Sequence, residues 1–213
     1  MPIQVTSSMH PNRCTTKHRC PVAVISSGYG VPYTDYSFIT KALSASGYTV
    51  VSIQHDLPHD APLARDGDLY SLRMPVWIRG VENTQFVRRV LAREHPNLDF
   101  DNLLLIGHSN GGDLSLVFAQ KYPALTSAVV TLDHRRVPIP LNEGKRILSV
   151  RSSDVEPVPG VVPSPEQQRS FGITIRQLAD ARHNEMHDGG REAVKEQILR
   201  AIAEFLSSTR RVR

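Results

Sequence analysis

Leu103-Leu104-Leu105-Ile106-Gly107-His108-Ser109-Asn110-Gly111-Gly112 is an apolar run that breaks off into a serine between glycines. The apolar part suits a strand buried on both faces. Beyond it, Leu114, Val117 and Phe118 fall at helical spacing. Strand, sharp turn and helix form the setting in which G-x-S-x-G lifts a serine hydroxyl above a sheet. Gly107 and Gly111 carry no side chain, so strand and helix can approach closely there. A helix N-terminus behind the serine favours developing negative charge. Ser109 is therefore a candidate nucleophile.

Outward from this turn, short apolar runs alternate with amphipathic stretches. Upstream, Val22-Ala23-Val24-Ile25 reads as a buried parallel strand and runs into a glycine-rich loop, Ser26–Gly30. Asp35 to Ser46 has Phe38, Ile39, Ala42 and Leu43 at helical spacing, with Gly47 as its stop. Tyr48 to Ile53 is the next strand. Residues 56–81, with prolines at 58, 62 and 75, hold no periodicity and read as a long loop able to line a site. A helix follows from Val81 to Arg93, with Phe86, Val90 and Leu91 inward, and Pro96 stops it.

Downstream, Ala128–Leu132 and Ile147–Val150 are strands of the buried type. Residues 151–164 are loop, Pro165–Ser170 is a short helix capped by Ser164, and Ile173 to Leu178 is the last strand. Arg191 to Leu206 closes the chain as a helix with Val194, Ile198, Ile202 and Phe205 on one face. The alternation predicts an α/β fold: a mainly parallel sheet covered by helices on both faces, a three-layer α/β/α sandwich. One domain is expected over 1–213, with 1–20 as lead-in and 207–213 as a basic tail.

The composition, 40% hydrophobic and 22% charged over 213 residues, is that of a soluble globular chain with a sizeable core. The net charge of +4 owes much to Arg210-Arg211-Val212-Arg213. No long basic run carries interleaved aromatics, which argues against nucleic acid. No apolar run reaches membrane-spanning length, and the first twenty residues lack the hydrophobic segment of a signal peptide. A cytoplasmic protein is expected, although a mature secreted form would look the same. Cys14 and Cys20, the only cysteines, can pair in an oxidising compartment. His10, Cys14, His18 and Cys20 match no standard zinc spacing, so no metal is expected there.

A serine nucleophile needs a base, and the base needs an acid to orient it. After a serine on this kind of turn, the chain order is serine, acid, histidine. The loop after the last strand contains His183 and His187, and His183 is the nearer to the strand end. For the acid, Asp154 follows Ile147–Val150, with Glu156 and Asp133 as rivals. An oxyanion hole would use the backbone N–H of Asn110 and a second N–H from the loop after the first strong strand, assigned to Tyr29 with Gly28 as the alternative. Gly28, His55, Asp56, His108, His134 and Arg135 lie at strand ends, where they are placed to shape a substrate site. Arg73, Trp77 and Arg79 could contact an acidic or aromatic substrate, but packing for Trp77 and solvent for the arginines is the commoner fate.

Taken together, the serine turn, the glycine-rich loop, the alternation and the late histidine resemble an α/β-hydrolase over residues 21–206. Ser52-Ile53-Gln54-His55-Asp56, Gly107 to Asp113 and Arg135-Arg136-Val137-Pro138 are similar to a group of small bacterial α/β-hydrolase-fold proteins. The resemblance implies a triad of Ser109, His183 and Asp154, and cleavage of a small-molecule acyl substrate such as an ester through an acyl-enzyme, without a cofactor. Thioesters, amides and peptides suit the same triad, and so does a binding protein of this fold with little turnover. About fourteen residues separate the strands near 132 and 147, where many relatives insert a cap, so the site is expected to be nearly lidless. The short lead-in leaves room for few of the usual first strands.

Overall fold

The computed structural model describes residues 2–6 and 14–208. Its elements are strand Ile3–Thr6 (β1), strand Cys20–Ser26 (β2), helix Ser37–Ala45 (α1), strand Thr49–Ile53 (β3) and helix Leu69–Glu94 (α2). Strand Leu98–His108 (β4), helix Asn110–Lys121 (α3), strand Thr126–Leu132 (β5) and strand Arg146–Arg151 (β6) follow. Helix Pro165–Phe171 (α4), strand Ile173–Gln177 (β7) and helix Glu192–Ser207 (α5) complete the chain.

The strands form one seven-stranded sheet in the order β1-β3-β2-β4-β5-β6-β7. β1 is an antiparallel edge, and every other pairing is parallel. Period-two alternation divides the strand residues between two cores. Val24, Leu105, Val129 and Ile147 pack with Trp77, Val81, Leu114 and Phe118 of α2 and α3. Ala23, Ile25, Leu104, Ile106, Val130 and Leu148 pack with Ile39 and Leu43 of α1 and Ile198, Ile202 and Phe205 of α5. Both faces are thus covered, which is why the strands read as nearly unbroken apolar runs.

The strand order reverses at β2. The chain leaves β2 for β3 on one side and returns as β4 on the other. Loops diverging from neighbouring strands open a crevice at such a point. Ser26 pairs with Gly107, so the loop after β2 and the turn after β4 leave the sheet side by side.

Two expectations are corrected. The segment 56–81 is not all loop, because α2 begins at Leu69, capped by Asp68, and contains Pro75. Proline costs a helix a hydrogen bond, but Arg73, Trp77, Gly80 and Val81 are buried along this stretch, and their packing outweighs that loss. The inward face also differs. Phe86 is exposed, while Thr84, Gln85, Val87 and Leu91 face the protein.

Cys14 and Cys20 form a disulfide at the start of β2, so neither thiol is available to a metal. His10 and Arg210–Arg213 lie outside the described residues. Among the described residues, no helix is long and apolar enough to cross a membrane.

Candidate active site

Ser109 sits between β4 and α3 with φ 51°. That left-handed backbone is costly for a residue with a side chain, and close packing on both sides holds it. A Cβ on Gly107 would stand 2.1 Å from the carbonyl oxygen of Gly111, and one on Gly111 would stand 2.2 Å from that of Ser26. Only glycine permits this approach of α3 to β4 and β2. The Ser109 N–H donates to Leu132 O at 2.8 Å, extending the sheet ladder into the turn.

The histidine expected after the last strand is in place. His183 opens a single 3₁₀ turn, and its Nε2 lies 3.0 Å from Ser109 Oγ. Its Nδ1 lies 2.5 Å from Asp133 Oδ2. The donors follow from chemistry: Nδ1–H gives to the carboxylate, and bare Nε2 accepts from the serine hydroxyl. His187 is not part of this chain of contacts; its Nδ1 accepts from Gly189 N at 3.1 Å.

The acid facing His183 is therefore Asp133, not Asp154. Asp133 follows β5 directly, with φ 51°, and its N–H donates to Val150 O. β5 neighbours β4, so its end lies beside Ser109. Asp154 follows β6, one strand farther out, and among the described residues its Oδ1 accepts only the backbone N–H of His183, at 2.9 Å. It fastens the histidine loop rather than the ring. Glu156 makes neither contact.

Asp133 is fully buried and well partnered. Ser152 donates to it through backbone N–H and hydroxyl, at 3.1 and 2.9 Å, and Arg151 stands 3.3 Å away. Burial pushes its carboxyl up, but the His183 hydrogen bond, the Arg151 charge and the Ser152 N–H outweigh burial and hold it well below the usual carboxylate range. Arg151 and Ser152 carried no signal in the sequence. They sit at the end of β6 and reach Asp133 only because β5 and β6 are adjacent.

His108 and Gly28 are close to the site but behind it. Gly28 N–H donates to Tyr36 Oη at 2.9 Å, and Tyr36 Oη lies 2.9 Å from His108 Nδ1. The single Tyr36 hydroxyl proton must then go to His108 Nδ1. His108 Nε2–H donates in turn to the carbonyl of His183, 3.0 Å away. One chain of hydrogen bonds thus ties the loop after β2 to the backbone of His183. Burial lowers the His108 pKa to about 3, so it is neutral at neutral pH. His55 is also buried, 3.1 Å from Ser26 Oγ through Nε2, and supports the β2 loop from below. None of the three expected substrate contacts lines an open surface.

Asn110 is buried, and its side-chain oxygen accepts from Trp77 Nε1 at 2.8 Å. As first residue of α3, it offers a backbone N–H with no partner inside the helix. Tyr29 is exposed in the loop after β2, its hydroxyl accepting from Leu63 N at 3.2 Å. Arg79 is engaged with Asp60 and Trp77 is fully buried, so neither is free for a substrate.

No protein-family model matches this chain, and no curated protein matches it in sequence. Solved structures do match it. A thermophilic esterase from Thermogutta terrifontis, with propionate bound, is similar at 12% identity and TM-score 0.69, over 97% of this chain and 89% of that one. A carboxylesterase from Bacillus cereus is similar at 15% identity and TM-score 0.64, over 96% and 94%. A serine hydrolase without a lid from Xanthomonas campestris is similar at 15% identity and TM-score 0.56, over 95% and 88%. In strand order, helix layers and the placing of its serine turn, this chain has the α/β-hydrolase fold.

Proposed function

We propose that this protein is a serine hydrolase that cleaves a carboxylic ester or related acyl compound. The observation that carries the proposal is the unbroken line from Ser109 Oγ through the His183 ring to Asp133. His183 Nε2 takes the hydroxyl proton as Ser109 attacks the acyl carbon, and returns it to the departing alcohol. Asp133 holds the imidazole in the tautomer this requires. The backbone N–H groups of Asn110 and Tyr29, on the two loops that diverge at the switch point, are assigned to the developing oxyanion. Water then repeats the cycle on the acyl-enzyme. No step calls for a metal or an organic cofactor.

A hollow of about 500 Å³ beside Tyr29, walled by Val31, Pro32, Tyr33, Leu57 and Pro58, offers apolar surface next to the proposed oxyanion loop. Two of the similar structures are esterases, which agrees with an ester substrate, and a third is a lidless serine hydrolase. A cytoplasmic setting was the sequence expectation. The Cys14–Cys20 disulfide favours oxidising surroundings instead.

Fluorophosphonate labelling of the natural protein, Ser109→Ala and His183→Ala tests the proposal. Labelling abolished by both changes is the expected result. A folded natural protein that takes no label would overturn it and leave a binding protein of this fold. Persistent labelling of Ser109→Ala would place the nucleophile elsewhere.

A further inference from the structure

Three arginines gather around Ser109: Arg135 and Arg136 after β5, and Arg73 on α2, whose guanidinium bonds Ala64 O beside the Leu63–Tyr29 hydroxyl contact. Arg135 and Arg136 follow closely on Asp133, and the Arg135 guanidinium stands 3.6 Å from Asp133 Oδ2. The backbone N–H groups of Arg136 and Val137 donate to Asp113 Oδ1 at 2.9 and 2.8 Å. Asp113 lies in the first turn of α3, so this loop is fastened directly behind the serine. Arg73 is one helical turn before Trp77 on α2, and Trp77 bonds to Asn110. All three arginines are thus tied to residues around Ser109.

The charge of Arg73 and Arg136 is poorly compensated. Arg73 is buried, and its Nε and Nη2 donate to Ala64 O, a neutral partner. Burial, then the charge of Arg136, lowers its pKa to about 10, with Asp113 opposing and Arg135 adding to the fall. Among the described residues, no carboxylate lies within ion-pair distance of Arg73 or Arg136, whereas Arg135 and Arg151 both lean on Asp133. The Nε atoms of Arg135 and Arg136 are buried without a hydrogen-bond partner. Asp113, the shared counter-charge, is itself buried, with its pKa raised by burial and its Oδ2 unpartnered. Arginines with no other task extend into water. These are kept close together, partly desolvated, beside the proposed nucleophile. Such an arrangement suits a ligand that brings negative charge and acceptor oxygens to the guanidinium forks.

We infer that Arg73, Arg135 and Arg136 form a subsite for an anionic oxygen group, carboxylate or phosphate, on the acyl part of the substrate. The inference rests on Ser109 being the nucleophile. The acyl part is the one that stays on Ser109 through both steps, so an anchor fastened to α3 acts on it throughout.

The test compares hydrolysis of 4-nitrophenyl butyrate with that of the mono-4-nitrophenyl esters of succinate and glutarate. The natural protein, Arg136→Gln, Arg73→Gln and Arg136→Lys are assayed, with fluorophosphonate labelling alongside. The readout is the ratio of kcat/KM for charged over neutral ester, so a general loss in a variant cancels. The expected ratio for the natural protein is about tenfold or more, falling with added salt and in both glutamine variants. Arg136→Lys should recover part of it. Protection from labelling by succinate rather than inorganic phosphate would assign a carboxylate, and the reverse a phosphate. A ratio near one with labelling intact, or a ratio unchanged in both glutamine variants, overturns the subsite while leaving the hydrolase in place. Absence of both labelling and turnover overturns the hydrolase itself.

Discussion

His183 is held by two aspartates in different ways: Asp133 meets its ring Nδ1 at 2.5 Å, and Asp154 meets its backbone N–H at 2.9 Å. In the proposed mechanism the first contact sets the tautomer of the base, while the second holds its loop in position. Replacement by asparagine should separate the roles. Asp133→Asn is expected to lower kcat by about 10⁴, since the amide leaves the ring in the wrong tautomer. Asp154→Asn keeps an acceptor for the backbone N–H and should lower kcat by about tenfold or less. Steady-state kinetics on an activated ester checks both, and equal losses would contradict the division.

Ser109 adopts φ 51°, a backbone that costs a non-glycine residue about 1–3 kcal/mol. Ser109→Gly relieves it. The variant should lose all labelling yet unfold at higher urea, with a gain of about 1 kcal/mol after glycine's extra unfolded-state freedom is counted. A destabilised Ser109→Gly would show that the turn is not strained.

Three histidines, His55, His108 and His134, have pKa values lowered to about 3, in each case first by burial. Their folded values lie below the unfolded value of about 6.5, so the unfolded chain binds the extra protons. Their contribution to stability is complete above that pH and is lost as pH falls towards 3. Asp133, also depressed, adds to the loss only below about pH 4, and Asp113, with a raised pKa, acts in the opposite sense. Urea midpoints should therefore fall steadily from pH 7 to pH 5. A flat profile over that range would mean that these rings can be protonated within the fold.

Tyr36 is fully buried and joins Gly28 N to His108 Nδ1. Tyr36→Phe leaves both groups without a partner, at a cost of about 1–3 kcal/mol. Because the same chain of bonds ends on the His183 carbonyl, kcat should fall as well, with KM little changed. Thermal unfolding and kinetics on one preparation check the two effects. A loss of stability with kcat intact would make His108 a packing residue only.

Much of this protein was legible in its sequence because local rules were obeyed. The apolar runs at 22–25, 103–106, 128–132 and 147–150 all lie within strands, and the helix near 165 is capped by Ser164 as its sequence suggests, with Gln167 completing a capping box. Ser109 and His183, which the structure brings to 3.0 Å, are legible because the serine turn has a local signature and the histidine follows the last strand. α2 runs longer than its sequence pattern suggests, because Pro75 and the lack of an apolar stripe hide its first turns. Trp77 and Gly80 pack on α3 there, and a Cβ on Gly80 would meet Leu114 Cδ1 at 1.9 Å.

The sequence by itself determined the order of elements, the parallel sheet, the serine turn and the histidine, since each depends on periodicity or on spacing along a few residues. Only the tertiary structure decided between Asp133 and Asp154. Both are loop carboxylates after strands, and their difference lies in lateral position in the sheet. β5 adjoins the strand that carries Ser109 and β6 does not, so one carboxylate reaches the imidazole and the other only its backbone. Side-by-side order in a sheet is fixed by packing between distant segments, and no local pattern in the chain encodes it.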